Sequence, residues 1–161
     1  MRPAYDRPAT LDDALRLAGE LGARTLVFDV EPLVAYWDSG QQALDQGVEH
    51  VLARARAVPG VLVVCFSTNS LRRPSAPLAT GGVRAEYLAS AGKPLRTAYY
   101  RDFPRPGVVI GDQLATDGAL ARRLGYAFLQ YHPEPGGLPA GPRLMDWCGQ
   151  ALRPLLFARP R

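Results

Sequence analysis

Apolar positions along this chain alternate between two rhythms. Leu11, Ala14, Leu15 and Ala18 recur at helical spacing, with Thr10 three positions before Asp13 as a capping-box-like start and Gly22 as a stop. A first helix is expected there. Residues 25–29 then form a short, apolar, partly β-branched run that ends in Asp29, the pattern of a buried strand emerging into a loop. Ala43, Leu44, Val51, Leu52 and Ala55 mark a helix over about 41–57, closed by Pro59 and Gly60 before a second strand at 61–66. A looser stretch through Pro74, Pro77, Gly81 and Gly82 leads to a third strand near 84–89 and a helix over 95–103. Residues 108–111 read as a fourth strand, 116–124 as a helix and 126–131 as a fifth strand, before a turn-rich segment at 133–142. A last helix through Leu144, Trp147, Leu152 and Leu155 is expected, ended or kinked by Pro154.

This alternation without internal repeats predicts an α/β protein, a Rossmann-like doubly wound parallel sheet of about five strands with helices on both faces. At 161 residues and 47% hydrophobic content, one domain with one sizeable core is the expected organisation. In such sheets ligands bind beyond the carboxyl ends of the strands, so those positions are where chemistry is sought.

Those ends carry a coherent set of groups. Asp29 and Glu31 follow the first strand, Ser67, Thr68 and Asn69 the second, Lys93 the third, and Gly111, Asp112 and Asp117 the fourth. Carboxylates on neighbouring loops can hold Mg²⁺, hydroxyls and amides can grip phosphate oxygens, and an ammonium can balance a phosphorylated carboxylate. Singly, each residue has a plainer reading: Asp112 and Asp117 as helix caps, Ser67, Thr68 and Asn69 as turn formers, Lys93 and Pro94 as a solvated helix start. Their joint placement at four successive strand ends is what favours a site. His50 and His132 have no such company and are expected to be solvated or structural.

Composition sharpens one residue. The net charge of +4 and pI near 9.4 favour an anionic partner. The paired arginines at 72–73 and 122–123 are too short for a nucleic-acid arm, so no nucleic acid is expected. Every basic residue but Lys93 is Arg, which makes that compact ammonium a site candidate. Cys65 and Cys148 form no CxxC motif and read as buried thiols. No leader or membrane-length apolar run is present in the sequence, so a soluble, cytoplasmic protein is expected.

The stretches LVFDVEPLVAYWDSG, VVCFSTNS, AGKP and VVIGDQLATDGALARRLGY resemble, in order, the four motifs of the haloacid dehalogenase superfamily, and most of all its YqeG/phosphatidylglycerophosphate-phosphatase-like branch of subfamily IIIA type. The GDQxxTD form at 111–117 is the most specific piece, and the resemblance runs from about the first helix to the fifth strand. It implies a capless phosphatase core in which Asp29 is the nucleophile that forms an aspartyl-phosphate. Mg²⁺ would be bound by Asp29, the backbone carbonyl of Glu31 and Asp112. Ser67, Thr68, Asn69 and nearby amides would hold the phosphoryl group, Lys93 would neutralise the crowded negative charge, and Asp117 would orient the metal shell or the lysine. Capless relatives act on large or surface-bound phosphorylated substrates, such as a metabolite or lipid phosphate with peripheral membrane contact, or close their sites by forming homo-oligomers.

The first motif departs from the superfamily's usual DxDxT, reading Asp29-Val30-Glu31-Pro32-Leu33. Glu31 keeps the acid expected to protonate the leaving group and activate water but moves it by one methylene. Pro32 withdraws a backbone donor and Leu33 replaces a hydroxyl with hydrocarbon. Two classes of function are therefore expected to compete: a Mg²⁺-dependent phosphomonoesterase, and a degenerate relative that binds a phosphorylated ligand or a protein partner, or performs another reaction on the same scaffold.

Overall fold

The computed structural model describes residues 3–79 and 81–133, together with Gly149, Ala151, Arg153, Pro154, Leu156 and Phe157. Asp29 is the last residue of a five-residue strand, Thr25–Asp29, whose every position is buried. Such a strand needs a partner on each side and cover on each face. It is β2 of a sheet that, among the described residues, has six strands, all parallel, in the order β1-β6-β5-β2-β3-β4. The others are β1 (Tyr5–Asp6), β3 (Val63–Ser67), β4 (Arg84–Leu88), β5 (Gly107–Gly111) and β6 (Ala127–Gln130).

Alternation along the strands divides the core in two. Leu26, Phe28, Val64, Phe66, Val108 and Ile110 face helices α1 (Leu11–Glu20) and α2 (Gln41–Arg56). Val27, Val63, Cys65 and Val109 face the opposite layer, built from Tyr100, Phe103, Leu120, Leu124 and Phe157. Helix α3 (Ala119–Leu124) supplies much of that second layer and ends on Gly125, whose φ of 70° is the left-handed closure that glycine adopts without strain. The fold is thus the expected α/β, Rossmann-like, doubly wound arrangement.

Helix α1 starts where the capping pattern placed it, the Thr10 hydroxyl accepting the Asp13 amide at 3.1 Å. Three expectations need correcting. The sheet has a sixth strand, because the two-residue β1 pairs with β6 (Tyr5 beside Phe128), a contact with no local signature. No helix spans 95–103. Only a 3-10 turn at Ala98–Tyr100 forms, since Tyr100 and Phe103 are buried whereas Leu95 and Tyr99 are exposed, too little of a stripe to bury a full helix. The helix expected over 116–124 opens with a π-turn, Leu114–Gly118, before α3. Of the last helix, Leu144, Trp147, Leu152 and Leu155 lie outside the described residues, as do Cys148 and residues 134–142 of the turn-rich segment. Gly149, Ala151, Arg153, Pro154 and Leu156 are helical, so helical backbone is present on both sides of Pro154. Among the described residues no helix is long and apolar enough to cross a membrane.

From β2 the chain runs outward to β3 and β4, then returns to the other side of β2 for β5 and β6. The order reverses at β2, which opens a crevice between the carboxyl ends of β2 and β5.

Candidate functional site

Four loops meet at that crevice. The Lys93 ammonium donates to Asp29 Oδ1 at 2.6 Å, to Asp117 Oδ1 at 2.7 Å and to the Ser67 carbonyl at 3.1 Å. Its side chain is only 3% exposed. Lys93 arrives there because Asn69 clasps its backbone: the Asn69 carbonyl oxygen accepts the Lys93 amide at 2.8 Å and its amide donates to the Lys93 carbonyl at 3.1 Å. The loops after β3 and β4 are further joined by the Ala91 amide on the Thr68 carbonyl and the Ser90 amide on the Ser70 carbonyl, each at 2.8 Å.

Asp117 reaches the cluster through the π-turn, whose Asp117 and Gly118 amides both donate to the Gln113 carbonyl. One residue more per turn rotates the carboxylate back over the end of β5, the kind of local distortion found at functional sites. It fits because Gly111 lies beneath it. A Cβ on residue 111 would fall 2.5 Å from the Asp117 carboxylate.

Asp29, Asp112 and Asp117 are all buried, with one carboxylate oxygen from each lying within 4.8 Å of the others. Burial, then repulsion from Asp117, raises the Asp29 carboxyl well above the usual range, an effect Lys93 opposes. Asp112 is pushed up to about 7, by burial first and by Asp117 second. For Lys93, burial alone would lower its affinity for a proton, but Asp117 and Asp29 more than offset this and it is raised. One ammonium thus faces three carboxyls in a low-dielectric site, leaving an excess of negative charge when all are ionised. Asp112 Oδ1 is buried with no hydrogen-bond partner. A buried oxygen of that kind is costly, and a proton or a hard cation can satisfy it. The three aspartates can hold a metal ion.

The remaining expected residues have other partners. Glu31 is buried and stands outside the three-aspartate cluster. Its Oε2 accepts the Thr68 hydroxyl at 2.5 Å and its Oε1 the Ser70 hydroxyl at 3.0 Å, with the Arg72 guanidinium 3.8 Å away. Ser67 is fully buried, and its hydroxyl pairs with the Tyr100 hydroxyl at 2.7 Å. The Thr68 amide, one of those near the expected phosphate position, donates to the Leu88 carbonyl. A cleft of about 180 Å³ is lined by Asp29, Glu31, Lys93, Thr68, Asn69 and Ser70, and also by Trp37, Gln113 and Thr116. The last three, with Ser70, Arg72 and Tyr100, were not among the expected site residues. Gln113 and Thr116 lie inside the GDQxxTD stretch and Ser70 ends the polar run that begins at Ser67, so sequence position pointed near them. Nothing local marks Tyr100, which reaches Ser67 from 33 residues away.

His50 is exposed, as expected, and His132 shares a hydrogen bond with Gln130 at 3.2 Å. Cys65 is buried in the core and reduced. Comparison with family models, with characterised proteins and with solved structures finds nothing that matches this chain.

Proposed function

We propose that this chain is a Mg²⁺-dependent phosphomonoesterase of haloacid-dehalogenase type, acting on a metabolite or lipid phosphate from the aqueous side of a membrane or in the cytoplasm. The observation that carries the reading is the Lys93 ammonium held between Asp29 and Asp117 at the sheet's switch point, beside an Asp112 oxygen that lacks a partner. Asp29 lines the cleft and would be the nucleophile, forming its bond to the phosphoryl group as the bond to the leaving oxygen breaks. Asp29 and Asp112, with Asp117 beside them, would hold Mg²⁺, which would supply positive charge against the phosphoryl oxygens. Lys93 favours the ionised form of Asp29, orients it and would share that task. The leaving oxygen requires a proton, and a water must then lose a proton as its oxygen bonds to phosphorus and the bond to Asp29 breaks, which releases phosphate and restores the carboxylate. Glu31 is the acid nearest this work in sequence, and it lines the same cleft.

A second reading, phosphoryl-ligand binding without turnover, is favoured by the Glu31 contacts. Both its oxygens already accept hydroxyl hydrogens, and Arg72 stands beside it, so proton transfer requires that carboxyl to leave its partners.

Phosphate release from a panel of phosphorylated metabolites and lipids, measured with Mg²⁺ for the parent, Asp29→Asn and Glu31→Gln, separates the two. Turnover abolished in Asp29→Asn and reduced about 10²–10⁴-fold in Glu31→Gln supports the enzyme. Turnover that survives Asp29→Asn refutes the assigned nucleophile. A parent that binds beryllofluoride but releases no phosphate supports the binding reading.

A further inference from the structure

Trp37 lines the cleft and has no part in the chemistry above. It is a large aromatic left 40% exposed beside a buried, charged cluster, and among the described residues no ring stacks on it. An indole face left in water forgoes the free energy its burial would yield, unless a ligand covers it.

Its position is fixed from both sides. The Tyr36 carbonyl accepts from Arg72 Nη1 and from the Ser39 hydroxyl, each at 2.7 Å. The Ser39 carbonyl accepts from Arg72 Nη2 at 2.9 Å. One guanidinium therefore grips the backbone before and after Trp37 and ties this turn to the loop after β3. The ring is presented to the cleft on a backbone already ordered, so little entropy is lost when something stacks on it. The cleft volume of about 180 Å³ leaves room for a phosphoryl group and one ring. Gln113 and Thr116 line the same space, and their side chains are of the kind that can hydrogen-bond a polar ring edge.

Resting on the phosphomonoester reading of the site, the geometry points to a leaving group that carries a planar aromatic or heteroaromatic ring, stacked on Trp37. Arg72 is the positioning residue for that wall. A simple aryl phosphate and a nucleoside monophosphate share this chemistry.

Calorimetric titration with non-hydrolysable phosphonates tests it without requiring turnover. Phenylphosphonate, cyclohexylphosphonate and methylphosphonate are compared, with Mg²⁺ present, in the parent, Trp37→Phe and Trp37→Ala. The parent should bind the phenyl compound about tenfold tighter than the other two, in line with ring stacking on an aromatic side chain. Trp37→Phe should keep most of that preference. Trp37→Ala should lose it while binding methylphosphonate as the parent does. A further arm uses the methylenephosphonate analogue of adenosine monophosphate: tighter binding than phenylphosphonate assigns the ring to a nucleobase, weaker binding to a small aryl group. Equal affinity for phenyl and cyclohexyl compounds in the parent, or a preference that survives Trp37→Ala, would overturn the aromatic wall and leave the phosphoryl site standing. If none of the phosphonates binds, the phosphoryl reading itself fails and this inference falls with it.

Discussion

At Lys93 three acceptors converge on one ammonium, two of them carboxylates on different strand ends. Removing one partner of a buried ion pair leaves the other charge without compensation, typically at a cost of about 3–5 kcal/mol. Lys93→Met, which keeps most of the apolar stem, should therefore lose about that much stability to urea at pH 8. It should lose less at pH 5, where Asp29 and Asp112 can take up protons in place of the missing cation. Lys93→Arg should not rescue beryllofluoride binding, because a planar guanidinium cannot put one nitrogen within 2.6 to 3.1 Å of all three acceptors. Equal stability of Lys93→Met and the parent at both pH values would show that these contacts contribute little. That Lys93 joins this cluster was legible because an arginine-rich chain retains a single lysine there. The roles of its neighbours were not. Ser67, Thr68 and Asn69 read alike as small polar residues after a strand, yet one faces Tyr100, one faces Glu31 and one clasps the backbone of Lys93. Which way each side chain turns depends on contacts 24 to 37 residues distant.

Among the elements, those whose burial is set by their own residues were legible in the sequence. Strand β2 has the expected bounds and α1 begins at the expected cap. Elements that depend on distant partners were not. Strand β1 exists only as a partner of β6, and the π-turn arises where Asp117 must reach Lys93 rather than from any periodicity in residues 114–118. The π-turn depends on Gly111, so Gly111→Ala tests the element directly. A methyl group 2.5 Å from the Asp117 carboxylate cannot be accommodated without moving the turn. The expected result is a loss of Mg²⁺ affinity of at least tenfold by calorimetry, with far-ultraviolet circular dichroism unchanged because the strand itself remains. As a control, Thr10→Ala, at a helix cap outside the cleft and the aspartate cluster, should cost about 1 kcal/mol in urea unfolding and leave Mg²⁺ binding alone. If Gly111→Ala binds Mg²⁺ as the parent does, the close approach of Asp117 does not shape the metal site.

Across the whole molecule, the site joins the two halves of the sheet. Asp29 ends the central strand, Asp112 and Asp117 follow β5 on one side, and Lys93 follows β4 on the other. Ionisation in the cluster is therefore linked to global stability. Asp112 is raised from the ordinary carboxylate value of about 4 to about 7 in the folded, metal-free protein, by burial and then by Asp117. Between those values the folded state binds more protons than the unfolded state, so stability falls as pH rises through the window. This is opposite to the usual salt-bridged carboxylate, whose contribution is lost as pH falls. A cation that binds only the folded state displaces those protons and adds stability as its concentration exceeds its dissociation constant, about 2.7 kcal/mol at a hundredfold excess. Three outcomes follow for thermal unfolding measured from pH 4 to pH 8. Without metal, this contribution should lower the melting temperature between about pH 4 and pH 7, a decline that Asp112→Asn reduces and that the raised Asp29 carboxyl continues. With excess Mg²⁺ the decline should flatten, so that the gain from metal is small at pH 5 and largest at pH 8. In Asp112→Asn, Mg²⁺ should give little gain at any pH. A metal-induced gain of the same size at pH 5 and pH 8 in the parent would separate cation binding from the ionisation of this cluster, and the three aspartates would no longer account for it.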